Sequence, residues 1–200
     1  MIRGIIWDFA GVLLHTIRGT FNSMMAERLE VPVEHVNRVM SGPENDLWDL
    51  GEIDDNTFFD YIISDIGLSV EKKAALASFV RDDFYVDKEL VKMIREMRKE
   101  YKTILLTNFP AHLHEFLETV WDVEGAFDQI IASCDVKLLK PDLRMYRLAL
   151  DAVGCDAEEA VFIDDREVNV KAAREMGMEG ILFKSKESAV DALNRIFKAS

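Results

Sequence analysis

Three short apolar runs of this chain end in residues that can bind a cation or an anion. The first run ends at Asp8, the second at Thr107 and Asn108, and the third at Asp164 and Asp165. An aspartate in such a position can act as a nucleophile or as a metal ligand, and a few oxygen ligands are what Mg²⁺ accepts. A hydroxyl, an amide and free backbone N–H groups can hold an anion. These residue types predict a site where a metal ion and an anion meet.

Lys140 is the cation that best completes such a site. It directly precedes Pro141, which suits the first position of a helix, so Lys140 is expected in the loop before that helix. A loop lysine taken alone is usually exposed to solvent, and each acid taken alone is consistent with capping the helix that follows it. The interpretation therefore depends on all of these residues meeting at one place.

The elements that would position these residues alternate between strand and helix. Residues 5–7, 104–106 and 161–163 form continuous apolar runs, which are typical of strands buried on both faces of a parallel sheet. Further strands are predicted at 129–133 and 180–183, and helices at 87–99, 111–120, 142–153, 168–176 and 187–197. The alternation predicts an α/β fold with a doubly wound parallel sheet. Open sheets of this kind bind ligands at their carboxyl edge, where the polar residues would lie.

A helical insertion separates the first strand from the rest of the sheet. The predicted helices span 20–30, 32–40, 55–66 and 70–83, and no strand is predicted between His15 and Asp83. We interpret the insertion as a lid and divide the chain into a core of residues 1–14 and 86–200 and a helical cap of residues 15–85. From Val39 to Glu71 there is no Lys, Arg or His. Because this stretch cannot clamp a second anionic group, it favours a substrate with one phosphate and a neutral body.

Composition limits the partners of the protein. The chain has 200 residues, of which 49% are hydrophobic, and a net charge of −13, so it can bury one sizeable core. The negative charge opposes attraction to nucleic acid or to an anionic membrane, and neither is predicted as a partner. Cys134 and Cys155 lie far apart without a metal-ligand spacing, so a disulfide framework or a zinc site has no support. Without a secretory pattern at its start, the chain is expected to be a reduced cytoplasmic protein.

The order of the motifs resembles the haloacid dehalogenase-like hydrolase superfamily. The motifs that carry the resemblance are Asp8-x-x-Gly11-Val12-Leu13, Thr107-Asn108, Lys140-Pro141, and Asp164-Asp165 followed by Asn169. The resemblance covers essentially the whole chain, including a helical cap after the first motif. In detail the chain is similar to the branch with the phosphatase domain of soluble epoxide hydrolase and bacterial sugar-phosphate phosphatases.

The resemblance implies hydrolysis of a phosphate monoester in two steps, through an aspartyl phosphate on Asp8. The expected substrate is a small phosphorylated metabolite such as a sugar phosphate, and the expected cofactor is Mg²⁺. The metal residues that it implies are Asp8, Ala10 through its backbone carbonyl, Asp164 and Asp165. The residues that it implies for catalysis and substrate binding are Asp8, Thr107, Asn108 and Lys140.

One position departs from the pattern of the superfamily. Its phosphatases usually carry a second aspartate two residues after the nucleophile, which protonates the leaving oxygen, and Ala10 stands at that position. Acid–base catalysis contributes about 10²- to 10⁴-fold, so the sequence predicts slow turnover or leaving groups that need little protonation. His15 could supply a proton, although a structural role is preferred. His112 and His114 make a poor metal pair because they lie two residues apart on a predicted helix.

Two other functions remain open from the sequence. Haloacid dehalogenation would use the same aspartate without a metal, but it needs a cationic pocket near the cap. A phosphometabolite-binding or interaction protein would keep the fold without turnover. The aromatic residues of the cap are consistent with cap core, substrate lining or a homodimer contact, and cap core is the preferred interpretation; these residues are Trp48, Phe58, Phe59 and Tyr61.

Overall fold

The computed structural model describes residues 1–76, 79–123 and 125–199. Its strands are β1 (Gly4–Trp7), β2 (Leu14–Thr16), β3 (Phe84–Val86), β4 (Lys102–Thr107), β5 (Gln129–Ala132), β6 (Ala160–Asp164) and β7 (Glu179–Leu182). Its helices are α1 (Phe21–Leu29), α2 (Val33–Met40), α3 (Pro43–Asp49), α4 (Asp55–Ile66), α5 (Phe79–Asp83), α6 (Lys88–Met97), α7 (Leu113–Thr119), α8 (Ser133–Val136), α9 (Leu143–Val153), α10 (Glu167–Glu175) and α11 (Lys186–Ala199). Short 3₁₀ helices span Val70–Ala75 and Ala157–Glu159.

A five-stranded sheet in the order β5-β4-β1-β6-β7 forms the centre of the molecule, and all of its neighbouring strands pair in parallel. In the register of these strands, Trp7 lies beside Leu105 on one side and beside Ile163 on the other. The residues that follow therefore emerge at the same edge of the sheet. This register confirms the predicted parallel α/β fold and brings the polar ends of three strands together.

Alternate residues of the central strands face two different hydrophobic clusters. Ile5 and Trp7 belong to the cluster that includes side chains of α6, α7 and α11, whereas Ile6 packs with side chains of α9 and α10. Both faces of β1 are fully covered, because Ile5, Ile6 and Trp7 have no exposed surface. A strand buried on both faces can tolerate polar side chains only at its ends, which is where the candidate site residues lie.

The helix after Lys140 shows how local sequence positions a site residue. Asp142 caps the start of α9, its side chain accepting a hydrogen bond from the Arg144 backbone N–H. Gly154 ends the helix in the left-handed conformation, with a φ of 74°. Between these caps, apolar side chains recur at helical spacing and are buried against the sheet: Met145, Tyr146, Ala149, Leu150 and Val153. The loop that carries Lys140 is thus held against the carboxyl edge by a well-anchored helix.

The chain between β2 and β3 is helical, and we refer to its helices α1 to α5 as the cap. The antiparallel pair of β2 and β3 joins the cap to the sheet, with His15 beside Tyr85. The sequence did not predict these strands, because three-residue segments are too short to show alternation and pair only once the cap has folded. The division into a core of 1–14 and 86–200 and a cap of 15–85 stays a prediction.

Two parts of the cap differ from the sequence-based expectation. The helix predicted over 70–83 is a 3₁₀ helix at Val70–Ala75 and the short α5, and positions 77 and 78 lie outside the described residues. The seven-residue α3 was not predicted, because it is too short to show a clear apolar period. Its Trp48 is buried and stacks on Phe58 with ring centroids 4.3 Å apart, which is consistent with the cap-core interpretation of these two aromatics, and Trp48 also lines a cavity. In the part of the chain that the structure describes, no helix has the length and apolar character to span a membrane.

Candidate active site

Three aspartates meet at the carboxyl edge of the sheet. Asp8 follows β1, Asp164 ends β6 and Asp165 follows it, and ligand oxygens of the three carboxylates all lie within 4.8 Å of one another. Asp8 and Asp164 are buried, whereas Asp165 is exposed. The predicted convergence of these acids is what the tertiary structure shows.

Lys140 lies between two of these aspartates. Its Nζ is 2.7 Å from Asp8 Oδ1 and 2.8 Å from Asp164 Oδ2, and it also donates to the Leu106 carbonyl oxygen at 2.9 Å. Burial lowers the pKa of Lys140, but the charges of Asp8 and Asp164 outweigh burial and raise it above its ordinary value. The lysine is therefore a fixed cation, fully engaged by its surroundings.

The two carboxyl oxygens of Asp8 have different environments. Oδ1 accepts hydrogen bonds from Lys140 Nζ and, at 2.7 Å, from the backbone N–H of Phe9. Oδ2 accepts none from the described residues, so it is the oxygen available to a metal ion or a substrate. Burial raises the pKa of Asp8, Lys140 opposes that rise, and the charge of Asp164 adds to it. The net upward shift of this pKa arises mainly from burial, and the charges of Asp164 and Asp165 add to it.

Asp164 and Asp165 also differ in the hydrogen bonds that their carboxylates accept from the described residues. Asp164 Oδ1 accepts from the Arg166 backbone N–H at 2.8 Å, and Asn169 Nδ2 lies 3.0 Å from each carboxyl oxygen. With Lys140 on Oδ2 as well, Asp164 is saturated and orients its neighbours. No other described residue donates to the carboxylate of Asp165. It lies against the loop after β1, where a Cβ on Gly11 would be 2.2 Å from Asp165 Oδ2.

This set of donors fits a hard divalent cation. The unpartnered oxygens of Asp8 and Asp165 supply negative charge, and only oxygen atoms are offered by the acids, which is the preference of Mg²⁺. The three carboxylates outnumber the single ammonium of Lys140, so a divalent ion would neutralise the excess. The residues present therefore fit the metal that the sequence predicts.

Asn108 and Thr107 contribute differently to the site. The side chain of Asn108 holds the Lys140 backbone at both ends: Oδ1 accepts from the Lys140 N–H at 2.8 Å, and Nδ2 donates to its carbonyl at 3.1 Å. Thr107 is fully buried, and its hydroxyl makes only a 3.5 Å contact with the Asn108 carbonyl. The structure brings Thr107 to the expected edge but does not place it among the residues that line the cavity over Asp8.

Two adjoining cavities lie between the sheet edge and the cap. The first, of about 640 Å³, is lined by residues that include Asp8, Ala10, His15, Asp49, Tyr85, Asn108, Lys140, Asp165 and Arg166. The second, of about 670 Å³, shares Ala10, Asp49, Asp165 and Arg166 with the first and adds Asn22, Asn37, Met40, Asn45, Trp48, Phe109 and His112. Among the described residues, the cap contributes no Lys or Arg to either cavity. We call the second cavity the cap chamber.

Sequence reasoning missed three groups that face these cavities. Arg166 supplies a cation from the core, and its position directly after Asp165 was the available signal. Asp49 comes from the unpredicted helix α3, which left no sequence signal. Burial, followed by the charge of Asp46, raises the pKa of Asp49 to about 7. His112 was considered only as a partner for His114, yet His114 instead lies 2.9 Å from Asp135.

His112 and Asp55 link the cap to the core beside the cap chamber. His112 Nδ1 is 2.9 Å from Asp55 Oδ1, which also accepts from Trp48 Nε1 at 2.8 Å. The His112 side chain is only 8% exposed, and its Nε2 has no hydrogen-bond partner among the described residues. The nearby Asn45 Oδ1 is likewise buried without a partner in that part of the chain. A buried polar atom of this kind normally has a partner, so these two atoms are suited to bind a polar group of a ligand.

His15 lies at the rim of the first cavity. Its ring centroid is 5.7 Å from that of Tyr85 and 6.4 Å from that of Phe183. These contacts pack the imidazole between an aromatic residue of β3 and one that follows β7. Its proposed structural role is consistent with this packing.

Comparison with known proteins agrees with the fold. A protein-family model for haloacid dehalogenase-like hydrolases matches residues 2–177. The sesquiterpene phosphatase astK of Aspergillus oryzae is 27% identical over 183 residues, which are 90% of this chain and 88% of that protein. Bifunctional epoxide hydrolase 2 of Sus scrofa is 31% identical over 103 residues, which are 50% of this chain. Those residues make up only 19% of the Sus scrofa enzyme.

Solved structures show the same architecture. A haloacid dehalogenase family enzyme of Bacteroides thetaiotaomicron, in complex with magnesium and inorganic phosphate, superposes with a TM-score of 0.76 at 21% identity. The superposition covers 93% of this chain and 96% of that one. A hydrolase of Porphyromonas gingivalis described as haloacid dehalogenase-like gives a TM-score of 0.76 at 25% identity, covering 99% of this chain and 98% of that one.

Proposed function

Because the chain belongs to the haloacid dehalogenase-like hydrolase family, we propose that it is a Mg²⁺-dependent phosphatase that acts on a small phosphate monoester. The observation that carries the proposal is the asymmetry of Asp8. One carboxyl oxygen is held by Lys140 and the Phe9 N–H, while the other accepts no hydrogen bond from the described residues. A nucleophile needs this combination of a fixed side chain and one free oxygen.

The reaction would proceed in two steps. Asp8 Oδ2 attacks phosphorus, the bond between phosphorus and the ester oxygen breaks, and an aspartyl phosphate forms. Water then attacks that phosphorus, which releases inorganic phosphate and regenerates the Asp8 carboxylate. Splitting the reaction in this way replaces direct attack by water with attack by a group already held in place.

The metal would be held by the carboxylates of Asp8 and Asp165 and by the backbone carbonyl of Ala10. Mg²⁺ supplies charge neutralisation between the attacking carboxylate and the phosphate. Both carboxyl oxygens of Asp164 already accept hydrogen bonds, so Asp164 would orient Lys140 rather than bind the metal directly. We therefore propose Asp164 as a positioning residue and Asp165 as a ligand.

The phosphoryl oxygens would be bound by groups from three loops. The Asn108 backbone comes from the end of β4, and Lys140, from the loop before α9, would contribute its positive charge. The Thr107 hydroxyl is buried and does not line the cavity, so it is not included in this set. Arg166 lines both cavities and would add a second cation near the phosphate. Preorganised donors of this kind stabilise negative charge without reorganisation during the reaction.

The body of the substrate would occupy the cap chamber. Since the cap lends no Lys or Arg to the chamber among the described residues, a neutral body with a single phosphate is favoured. The lining combines aromatic side chains with the amides of Asn22, Asn37 and Asn45, so it suits a body with both apolar and hydroxyl-bearing surface. A sugar phosphate matches the amides, and the name of the Aspergillus oryzae relative adds sesquiterpenyl phosphates to the candidates.

The first test is phosphate release from a panel of aryl, hexose and terpenyl monophosphates, with Mg²⁺ and with EDTA. Metal-dependent release by the native chain, lost in Asp8→Asn and kept in Asp191→Asn, is the expected result. Asp191 is an exposed residue of α11 and is not among the residues of the site, so this control variant removes a carboxylate without changing the site. Phosphate binding without turnover would support the alternative of a non-catalytic binding protein. Halide release from 2-chloropropionate without a metal would instead support a dehalogenase.

A further inference from the structure

The carboxyl edge lacks an obvious proton donor for the leaving oxygen. Ala10 is exposed to the cavities and has no protonatable side chain. Lys140 is held by Asp8, Asp164 and the Leu106 carbonyl. Arg166 does not release a proton in proteins. A phosphatase with this site needs a donor from another element, because alkoxide leaving groups depart slowly without a proton.

Asp49 is placed where such a donor would be needed. Among the described residues of the cap, it is the one carboxyl group that lines both the cavity over Asp8 and the cap chamber. A phosphate ester on Asp8 with its body in the chamber would have its bridging oxygen between the two cavities. We propose that Asp49 is the general acid and base of this enzyme, a role that depends on the proposed phosphatase activity.

The backbone of Asp49 is fixed to the core rather than only to the cap. Ser133 Oγ donates to the Asp49 carbonyl oxygen at 2.5 Å and accepts from the Phe109 backbone N–H at 2.9 Å. Lys137 Nζ donates to the carbonyl of Leu50 at 2.6 Å and to that of Gly51 at 3.2 Å. These bonds join the end of α3 to α8 and to the segment that follows Thr107 and Asn108. The distance from Asp49 to the phosphate site is thereby set by core residues.

The carboxyl group of Asp49 makes few stabilising contacts within its own helix. Its one hydrogen-bonding neighbour among the described side chains is Asn45 Nδ2, which lies 3.5 Å from Oδ2, at the limit of a hydrogen bond. It lies at the last position of α3, where a negative charge opposes the helix dipole. A partly buried carboxyl group without an ion-pair or capping role costs stability, which is typical of a residue retained for chemistry.

The charges around Asp49 suit an acid that operates near neutral pH. Burial raises its pKa to about 7, Asp46 on the same helix adds to the rise, and Arg166 and Lys140 across the cavity oppose it. Asp8, Asp165 and His112 share its cavities, and Lys137 and Asp135 belong to the core segment beneath it. The carboxyl group is protonated below its pKa, so donation to the leaving oxygen weakens as pH rises above about 7.

Asp49 would donate one proton in the first step and regain one in the second. As the bond from Asp8 Oδ2 to phosphorus forms and the ester bond breaks, the Asp49 proton passes to the departing oxygen, which leaves as an alcohol. The resulting Asp49 carboxylate then takes a proton from the water that attacks the aspartyl phosphate. Phosphate leaves, Asp8 is regenerated, and Asp49 is again protonated for the next turnover.

The test compares Asp49→Asn with the native chain on esters whose leaving groups differ in their need for a proton. For hexose 6-phosphate, kcat/KM should fall by about 100-fold or more, whereas for 4-nitrophenyl phosphate it should fall by less than about 10-fold. Because kcat/KM includes only steps up to formation of the aspartyl phosphate, it isolates the role of the acid. With 4-nitrophenyl phosphate, kcat should still fall and a burst of nitrophenol should appear, because the water then lacks its base.

Matched variants separate this role from structure. Glu52→Gln removes an exposed carboxylate just beyond α3 and should leave both esters unchanged. Ala10→Asp combined with Asp49→Asn should regain part of the hexose phosphate activity, because it restores a carboxyl group beside Asp8. Equal losses on both esters, or no loss on either, would overturn the role of Asp49. If Asp49→Asn does not fold, the loss of activity on each of the two esters is measured with Asp49→Ser instead, and the same comparison is made.

Failure of the proposed function gives a different result. In that case the native chain would release no phosphate from any ester, including 4-nitrophenyl phosphate, with Mg²⁺ present. A native chain that is active, with unchanged discrimination between esters in Asp49→Asn, would reject the role of Asp49 and keep the phosphatase.

Discussion

Lys140 Nζ lies 2.7 Å from Asp8 Oδ1, and both side chains are buried beneath the cavity that the cap covers. The same ammonium reaches Asp164 at 2.8 Å, so one cation compensates two buried carboxylates. Removal of a single partner from such a cluster leaves an uncompensated charge inside the protein, which is more costly than loss of an exposed ion pair.

Lys140→Met should therefore affect both folding and catalysis. We expect the free energy of unfolding to fall by about 3–5 kcal/mol, because Asp8 and Asp164 would lose their buried counter-charge. Turnover should fall by about 10²-fold or more, because the fixed cation that holds Asp8 and offsets the charge of the phosphoryl group is lost. Urea unfolding and phosphate release measure the two effects. Lys171→Met, a change on the exposed face of α10, is the control and should alter neither quantity.

Metal binding should depend on Asp165. In the native chain, Mg²⁺ at about 100 times its Kd should raise the free energy of unfolding by about 2.7 kcal/mol, because only the folded protein forms the site. Asp165→Asn should abolish most of this gain and change stability without metal only slightly, since its carboxylate has no partner among the other described residues. Thermal unfolding with Mg²⁺ and with EDTA checks both statements. An undiminished Mg²⁺ effect in Asp165→Asn would contradict its role as a ligand.

Asp49→Asn should stabilise the protein at alkaline pH. The folded-state pKa of about 7 lies above the ordinary value of 3.8, so the native chain loses stability as pH rises between these values and the buried carboxyl group ionises. Asparagine avoids that cost. After allowing for partial solvent access, we expect Asp49→Asn to be more stable than the native chain by about 2 kcal/mol at pH 8, with no such advantage near pH 4. Urea unfolding at several pH values, with Glu52→Gln as the reference, measures the trend.

The free nitrogen of His112 should contribute to substrate affinity. His112→Phe keeps the aromatic contacts with Phe109 and Phe116 but removes the contact of Nδ1 with Asp55 and the buried Nε2 beside the cap chamber. We expect KM for a hydroxyl-bearing ester to rise by about 10-fold, which corresponds to the loss of about one hydrogen bond. Inhibition by inorganic phosphate should not change, because phosphate alone does not reach the chamber. Equal weakening of both ligands would indicate a general disturbance of the site instead.

The strands and the acids of the site could be predicted because their signals are local. The apolar run at 5–7 followed by Asp8, and that at 161–163 followed by Asp164 and Asp165, identify buried strands and their polar ends without knowledge of any other segment. The structure confirms this reasoning, since β1 and β6 pair in register. A cytoplasmic location, a homodimer and the absence of nucleic-acid or membrane partners stay predictions.

The contributions of the cap could not be predicted, because they depend on contacts between distant segments. Asp49 lies on a seven-residue helix that is held by Ser133, a residue 84 positions later in the chain. His112 meets Asp55 across 57 positions, and neither residue signals the other in the sequence. Helices this short have little intrinsic stability and form because of the surfaces they pack against.

The sequence by itself therefore determined the parallel α/β fold, the edge where the polar strand ends meet and the residues Asp8, Asp164, Asp165 and Lys140 that carry charge there. These features follow from hydrophobic pattern and motif order, which are properties of contiguous segments. Only the tertiary structure decided that Asp164 is saturated while Asp165 and one oxygen of Asp8 lack a donor among the described residues, and that Asp49 and His112 line the cavities under the cap. Such roles depend on which hydrogen-bond partners each side chain meets after folding, and those partners come from elements far apart in the chain.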